Sequence, residues 1–257
     1  MIMKVSIYSM DGAAKDKVEL PSAFDEEVRE DLIKRAFLSE QSELLQPKGA
    51  FYRAGLQTTA RYVGRKEAYH SLKNRGGAML PRELYPKGRI GRVRVVPWAV
   101  KGRAAHPPHP EKVLVERMNE KEKKKALRSA IAATANSDMV KDVHKFDAQV
   151  PIVIEDGIEE IKKTKDVLKV LGNIKLERDL ERASNGRKRR TGRKGGVKTP
   201  RSVLIVVSGE KPLLKAAKNI PGVDVVKVDS VKVSQLAPGG RPGRLTIWSA
   251  SALKKIE

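Results

Sequence analysis

The 257-residue chain reads as an α/β protein: a three-layer, Rossmann-like body with a mostly parallel sheet, carrying a long extended basic loop and a basic insertion. Three observations predict this. Runs centred on Ile152–Ile154, Val203–Val207 and Val223–Val228 are apolar without alternation, as strands covered on both faces are. Helical patterns separate these runs, which favours parallel pairing through crossovers. Positive charge is confined to two Gly-rich segments that interrupt the pattern.

In chain order, residues 4–8 and 17–20 alternate polar and apolar around the turn signal Asp11-Gly12, predicting a short strand pair. Ser22 or Asp25 caps the next helix, whose apolar positions Val28, Leu32, Ile33, Ala36 and Phe37 recur at helical spacing. Asp25, Glu26 and Glu27 suit its positive end. The pattern ends near Pro47. From Lys48 to Pro110 neither period persists, and eight glycines and six prolines punctuate the segment. A connection this long without structure of its own is either disordered alone or ordered by something outside the protein. Helix resumes at Glu111 with Val113, Leu114 and Met118, and residues 126–135 form an Ala-rich, close-packing stretch. Residues 151–155 are a strand. Thr164 caps a helix through Val167, Leu168 and Leu171 that stops at Gly172. A strand over 201–207, a helix over 211–219, a strand over 223–228, a helical turn over 233–236 and a strand over 245–248 complete the body. The expected division is residues 1–47 with 111–257 as the body, 48–110 as an extended loop, and 182–201 as a basic insertion within the body.

Between Lys48 and Pro110 stand 14 Lys/Arg against two acids, Glu67 and Glu83. Between Arg182 and Arg201 stand nine Lys/Arg and no acid. The whole chain carries +22, so only +1 remains for everything else. Segments of this kind repel themselves and settle only against dense negative charge, which nucleic-acid phosphate supplies. Arg interleaved with Gly lets backbone approach phosphate while the guanidinium meets its oxygens in pairs. By contrast Lys121–Lys125 and Lys162-Lys163 are flanked by Glu and read as solvated faces. Aromatic content of 4% is low for stacking on single-stranded bases, so phosphate and shape recognition of folded RNA, or DNA phosphate binding, fits better.

Several chemistries fall away. With no cysteine there is no disulfide, thiolate metal site or cysteine nucleophile. Residues 1–10 lack a charged start followed by an apolar core, and no run has the length of a membrane span, which predicts a cytosolic protein. The turn Ser208-Gly-Glu-Lys-Pro212 lacks the glycines that admit a pyrophosphate, and Glu210 would repel one. Gly186–Gly196 misses the phosphate-loop spacing and precedes a strand instead of following one. His106-Pro-Pro-His109 cannot present both rings on one helical face, and no third ligand stands nearby, so no metal is expected. Two other readings stand at this level: an RNA-modifying Rossmann-like enzyme, with a cofactor pocket at the carboxyl ends of the Val203 and Val223 strands, and a chromatin or DNA-packing protein.

Residues 98–108, Trp-Ala-Val-Lys-Gly-Arg-Ala-Ala-His-Pro-Pro, are more specific. With Glu111–Arg117, Leu127–Ala135, Pro221–Val226, Leu236-Ala-Pro-Gly-Gly240 and Gly243–Trp248, the chain resembles the uL4 family of large-subunit ribosomal proteins, in its archaeal and eukaryotic branch, along nearly its whole length. The resemblance implies a structural constituent of the large subunit with no catalytic residue, cofactor or metal. It implies a loop threading through the 23S rRNA to line the peptide exit tunnel, beside the uL22 family and the nascent polypeptide. The tunnel tip would include Lys73, Asn74, Arg75, Gly76, Gly77 and Arg82. Phosphate contacts are expected from Arg53, Arg61, Arg65, Lys66, Arg75, Arg89, Arg92, Arg94 and Arg103, with His106 alongside. In the insertion they are expected from Arg187, Lys188, Arg189, Arg190, Arg193 and Lys194.

Overall fold

A computed structural model describes residues 4–68, 71–192 and 195–256. The chain divides into two units, one drawn from Met1–Leu44 and Val115–Glu257, the other from Leu45–Leu114. In chain order the strands are β1 (Lys4–Tyr8), β2 (Ala14–Glu19), β3 (Ala60–Arg61), β4 (Arg82–Leu84), β5 (Ile90–Val93), β6 (Ile152–Ile154), β7 (Lys188–Arg189), β8 (Val197–Lys198), β9 (Leu204–Val207), β10 (Asp224–Lys227) and β11 (Thr246–Ser249). The α-helices are α1 (Glu30–Glu43), α2 (Glu120–Ala135), α3 (Ser137–Lys141), α4 (Thr164–Asn173), α5 (Glu177–Asn185), α6 (Leu213–Ala216), α7 (Val233–Leu236) and α8 (Ala250–Leu253).

The first unit is built on a six-stranded sheet ordered β10-β9-β11-β6-β1-β2. All neighbours run parallel except the β1–β2 hairpin at one edge, which pairs Lys4 with Glu19 and Val5 with Val18. The runs of β6 and β9 are buried on both sides, as their lack of alternation predicted, while β10, with Asp224 and Lys227 at the sheet edge, is mostly half-buried. Ile205 and Val207 enter one core with Ile152, Ile154, Ile247, and Val167 and Leu171 of α4. Leu204 and Val206 enter the other with Val153, Trp248, Ile33 of α1 and Ala126 and Ala130 of α2. Helices therefore cover both faces of the sheet. Small Ala side chains let α2 lie close, and the rings of Phe24 and Trp248 meet edge to face at 5.6 Å. The parallel strands do not follow the usual Rossmann order, because β11 inserts between β9 and β6.

Local expectations fail where tertiary hydrogen bonds win. The first helix begins at Glu30, with Ser22–Phe24 forming a separate 3-10 turn, so neither Ser22 nor Asp25 caps it. Ser129 holds the preceding chain extended by accepting from the Arg29 N–H (2.7 Å) and donating to the Glu27 carbonyl (3.0 Å). The helix expected from Glu111 begins at Glu120. There the Glu116 carbonyl accepts from Ser39 (2.7 Å) and its N–H donates to Ser42 (2.9 Å), so α1 takes the backbone groups a helix would need. Thr164 is the first helical residue, not the cap, and the helix expected over 211–219 shrinks to the single turn of α6. Helix α5 was not expected. Its inward face carries Leu176, Leu180 and Ala183 at helical spacing, with the buried Asp179 among them.

The second unit was expected to have no structure of its own, and this needs correction. Ala60–Arg61, Arg82–Leu84 and Ile90–Val93 form a small antiparallel sheet in the order β3-β4-β5. The β4–β5 connection turns through Pro86–Gly88, with Lys87 at φ 62°. These strands of two to four residues, one interrupted by Gly91, are too short for periodicity to register. Among the described residues only Ala60, Val63 and Val96 of this unit are buried apolar side chains.

Candidate nucleic-acid interface

In the second unit the cations lie on turns and on the small sheet. Arg53 is in the turn after Phe51, Arg61 is on β3, and Arg65 and Lys66 lead the next turn. Arg89 and Arg92 flank and occupy β5, while Arg103 and His106 lie on the return segment. All are exposed. Arg53, Arg61, Lys66, Arg75, Arg89 and Arg92 make no side-chain hydrogen bond or ion pair among the described residues. Arg61 stands directly opposite Arg82 across the β3–β4 pair, a like-charge juxtaposition that opposes pairing unless an anion intervenes.

Other members are engaged internally. Arg94 Nε lies 2.5 Å from Glu83 Oε1, and the hydrogen bond from Arg94 holds the Glu83 carboxyl below its usual range. Arg65 meets Glu67 loosely at 3.9 Å, and Arg103 donates to the Gln57 carbonyl at 3.4 Å. Arg82 is turned onto its own unit's backbone, donating to the Ala78 carbonyl (3.2 Å) and the Gly91 carbonyl (3.4 Å). Lys73–Gly77 forms an exposed turn in which Asn74 and Gly76 have positive φ, 61° and 72°. Nothing lies within 4 Å of a Cβ built on Gly76, so the conformation alone calls for glycine there.

In the first unit the insertion is a hairpin. Lys188 faces Lys198 and Arg189 faces Val197, and the Arg190 N–H closes onto the Gly196 carbonyl at 2.9 Å. Arg187, Lys188, Arg189 and Arg190 are exposed and make no side-chain hydrogen bond or ion pair among the described residues. Arg193 and Lys194 lie outside the described residues.

The two end cations of this segment do different work, which residue counting missed. Arg182 donates to Asp179 (2.8 Å) and to the Arg201 carbonyl (2.7 Å), while Arg201 grips Asp224 with both carboxylate oxygens at 2.7 and 3.0 Å. Asp179 is fully buried and also takes His144 (3.1 Å), the Lys145 N–H (3.1 Å) and the Ser202 hydroxyl. Burial alone would raise its pKa, but the hydrogen bonds from His144, Arg182 and Ser202 outweigh that and hold it well below the usual range. Buried Arg244 donates to Asp224 (2.6 Å) and to the carbonyls of Ser202 (2.9 Å) and Gln235 (2.8 Å). Burial lowers its pKa, with Asp224 opposing the shift. Both stems of the hairpin are thereby tied to the sheet. No local pattern in the sequence marks this network.

The crevice at the carboxyl ends of the parallel strands, where an enzyme on such a sheet would hold its cofactor phosphate, is occupied by the chain's own carboxylate. Glu159, 2% exposed, accepts from the Ser208 N–H (2.7 Å), the Ser208 hydroxyl (2.8 Å) and the Ser249 hydroxyl (2.7 Å). Burial pushes its pKa up, yet these bonds and that from Ser251 bring it below the usual range. The backbone N–H that would cradle a phosphate already has an anion.

A near-neutral α/β body with exposed, unpartnered cations concentrated on a hairpin and on a second unit defines a polyanion-binding protein. Comparison with known proteins gives its family. The Ribosomal protein L4/L1 family profile matches residues 18–257. The chain is 45% identical over 262 residues to the large ribosomal subunit protein uL4 of Methanocaldococcus jannaschii, covering 99% of this chain and 98% of that one. It is similarly 45% identical to uL4 of Methanococcus aeolicus and 44% identical to uL4 of Methanoculleus marisnigri, in each case across 99% of this chain. The chain belongs to the ribosomal protein L4/L1 family.

Proposed function

We propose that the chain is a structural, non-enzymatic constituent of the large ribosomal subunit in the cytoplasm, binding 23S rRNA and supporting subunit assembly. The observation that carries this is the segregation of charge. Net charge in the body is close to zero, with Asp179 and Asp224 pairing Arg182, Arg201 and Arg244 at the sheet. The hairpin and the 45–114 unit instead carry a large excess of cations over acids, many of them exposed and without a side-chain partner among the described residues. Phosphate contacts are assigned to Arg53, Arg61, Arg65, Lys66, Arg75, Arg89, Arg92 and Arg103, with His106, and in the insertion to Arg187–Arg190 together with Arg193 and Lys194. Arg94 and Arg82 contribute less, since Glu83 and backbone carbonyls hold them.

In this reading the body is a three-layer, Rossmann-like scaffold, and residues 48–110 are its extended basic loop. With only three buried apolar side chains among its described residues, the small sheet of that loop gains little stability alone and is consolidated by the RNA around it. Its Lys73–Gly77 turn lines the peptide exit tunnel beside the uL22 family, facing the nascent polypeptide. Sedimentation of cell extract through a sucrose gradient tests the assignment. The protein is expected in the large-subunit and ribosome fractions, and its confinement to the top of the gradient would refute it. Competition between rRNA and duplex DNA for the purified chain separates it from a DNA-packing protein, which would show no preference for the rRNA.

A further inference from the structure

Aromatic side chains are distributed as unevenly as charge. In the body Phe24, Phe146 and Trp248 are interior, at 8%, 7% and 1% exposure, and Tyr8 and Phe37 are half-buried. In the 45–114 unit every described one is open: Phe51, Tyr52, Tyr62, Tyr85 and Trp98 are all at least 51% exposed. The chain-wide content of 4% that argued against base stacking conceals this segregation.

Two of these rings lie close against a glycine, and Tyr85 is in addition anchored through its hydroxyl. A Cβ built on Gly91 would lie 2.5 Å from Tyr85 Cε2, and one built on Gly64 would lie 2.5 Å from Tyr62 Cζ. Each ring therefore rests against a residue that only glycine can supply without displacing it. Tyr85 is fixed twice more, its hydroxyl donating to Glu83 (3.1 Å) and its N–H to the Arg89 carbonyl (2.9 Å). Exposed aromatic rings fixed before binding lose little entropy when a flat partner covers them. Their neighbours are cations: Arg61 precedes Tyr62 in the chain, Arg89 closes the turn that Tyr85 opens, and Arg92 lies on β5 beyond it. A flat apolar surface set among positive charges suits an unstacked nucleotide, whose base covers the ring while its phosphate meets the arginine.

Resting on the rRNA-binding reading above, we propose that Tyr62 and Tyr85 are stacking platforms for unpaired bases, so that the loop recognises single-stranded nucleotides within the RNA as well as its phosphates. The test compares full-length protein with the variants Tyr62→Leu/Tyr85→Leu, Tyr62→Phe/Tyr85→Phe and Arg89→Gln/Arg92→Gln. Binding to a large-subunit rRNA transcript and to a fully paired RNA duplex is measured across a KCl series. The Leu pair should bind the transcript more weakly by on the order of ten- to a hundredfold, with duplex binding and salt slope unchanged. The Phe pair should stay within about threefold of the parent, since the ring is kept. The Arg pair should instead flatten the slope, by roughly 0.7–0.9 per lost phosphate contact. A Leu pair that matches the parent on the transcript, or that weakens transcript and duplex alike, overturns the proposal. If the parent itself shows no preference for the transcript, the rRNA reading falls and takes this one with it. A preference that survives in the Leu pair sinks only the stacking.

Discussion

The sheet-bearing unit and the 45–114 unit solve the same problem of ordering a chain in opposite ways. In the first, Ile152, Ile205, Ile247 and Trp248 leave water almost completely, and buried ions such as Asp179 and Arg244 find partners within the chain. In the second, rings and guanidinium groups face outward and, among the described residues, the buried apolar set is Ala60, Val63 and Val96. At about 25 cal/mol per Å² of apolar surface, three small residues stabilise little against the entropy of fixing some seventy. The difference teaches that exposure can have two meanings: an exposed Lys among acids in the body is solvation, while on the proposed reading an exposed Arg or Tyr of the loop unit is a contact for RNA.

The strongest attempt to break this contrast is excision of residues 48–110 with a short Gly-Ser bridge. The remaining body should keep its cooperative thermal transition by circular dichroism yet fail to enter large subunits on sucrose gradients. A body that melts without cooperativity would show that the two units depend on each other for stability. Next in size is Asp179→Asn, which leaves Arg182, His144 and Ser202 around a neutral group. Urea unfolding should show a loss of about 3–5 kcal/mol, the usual effect of removing one partner from a buried ion pair.

The same carboxyl sharpens the comparison through pH. Its folded pKa lies below the unfolded value near 4, so the stability it contributes is present above that pH and lost as pH falls through the folded value. Acid unfolding of the parent should therefore be steeper than that of Asp179→Asn, measured by tryptophan emission; equal acid limbs would remove the carboxyl from the account. The smallest effects separate free from engaged cations. Arg53→Gln or Arg75→Gln should reduce the salt slope of rRNA binding by roughly 0.7–0.9 each, without changing stability. Arg201→Gln should leave the slope nearly intact and lower the melting temperature, because its charge is spent on Asp224. Equal slopes for all three would mean that internal pairing does not decide which arginines meet RNA.

Much of the body was legible because buried parallel strands leave an apolar run. The strand expected over 201–207 is β9, which starts three residues later at Leu204, and that expected over 223–228 is β10, one residue shorter at each end. The displaced starts of α1 and α2 share one cause. Ser129, Ser39 and Ser42 take backbone groups from segments far away in the chain, so the starts of α1 and α2 shifted although their periodicity was sound. Helix α5 went unread although Leu176, Leu180 and Ala183 recur at helical spacing. What the sequence concealed was the burial of Asp179, which looks like a surface acid until its partners His144 and Ser202 are known. The site was legible as a charge pattern: Arg187–Arg190 and the loop arginines stand out against a near-neutral background. Which of them are free was not legible, since Arg94 and Arg201 look no different in sequence from Arg92 and Arg187.

Composition along the chain, by itself, determined where charge would gather and where a core would form, since desolvation and like-charge repulsion act on each segment whatever its neighbours. Tertiary structure alone decided that β11 would insert between β9 and β6, that Glu159 would meet Ser208 and Ser249, and that Tyr62 and Tyr85 would be held against glycines. The strand order and the Glu159 contacts join residues distant in the chain, while the rings are seated by short turns and strands. Local periodicity reports neither.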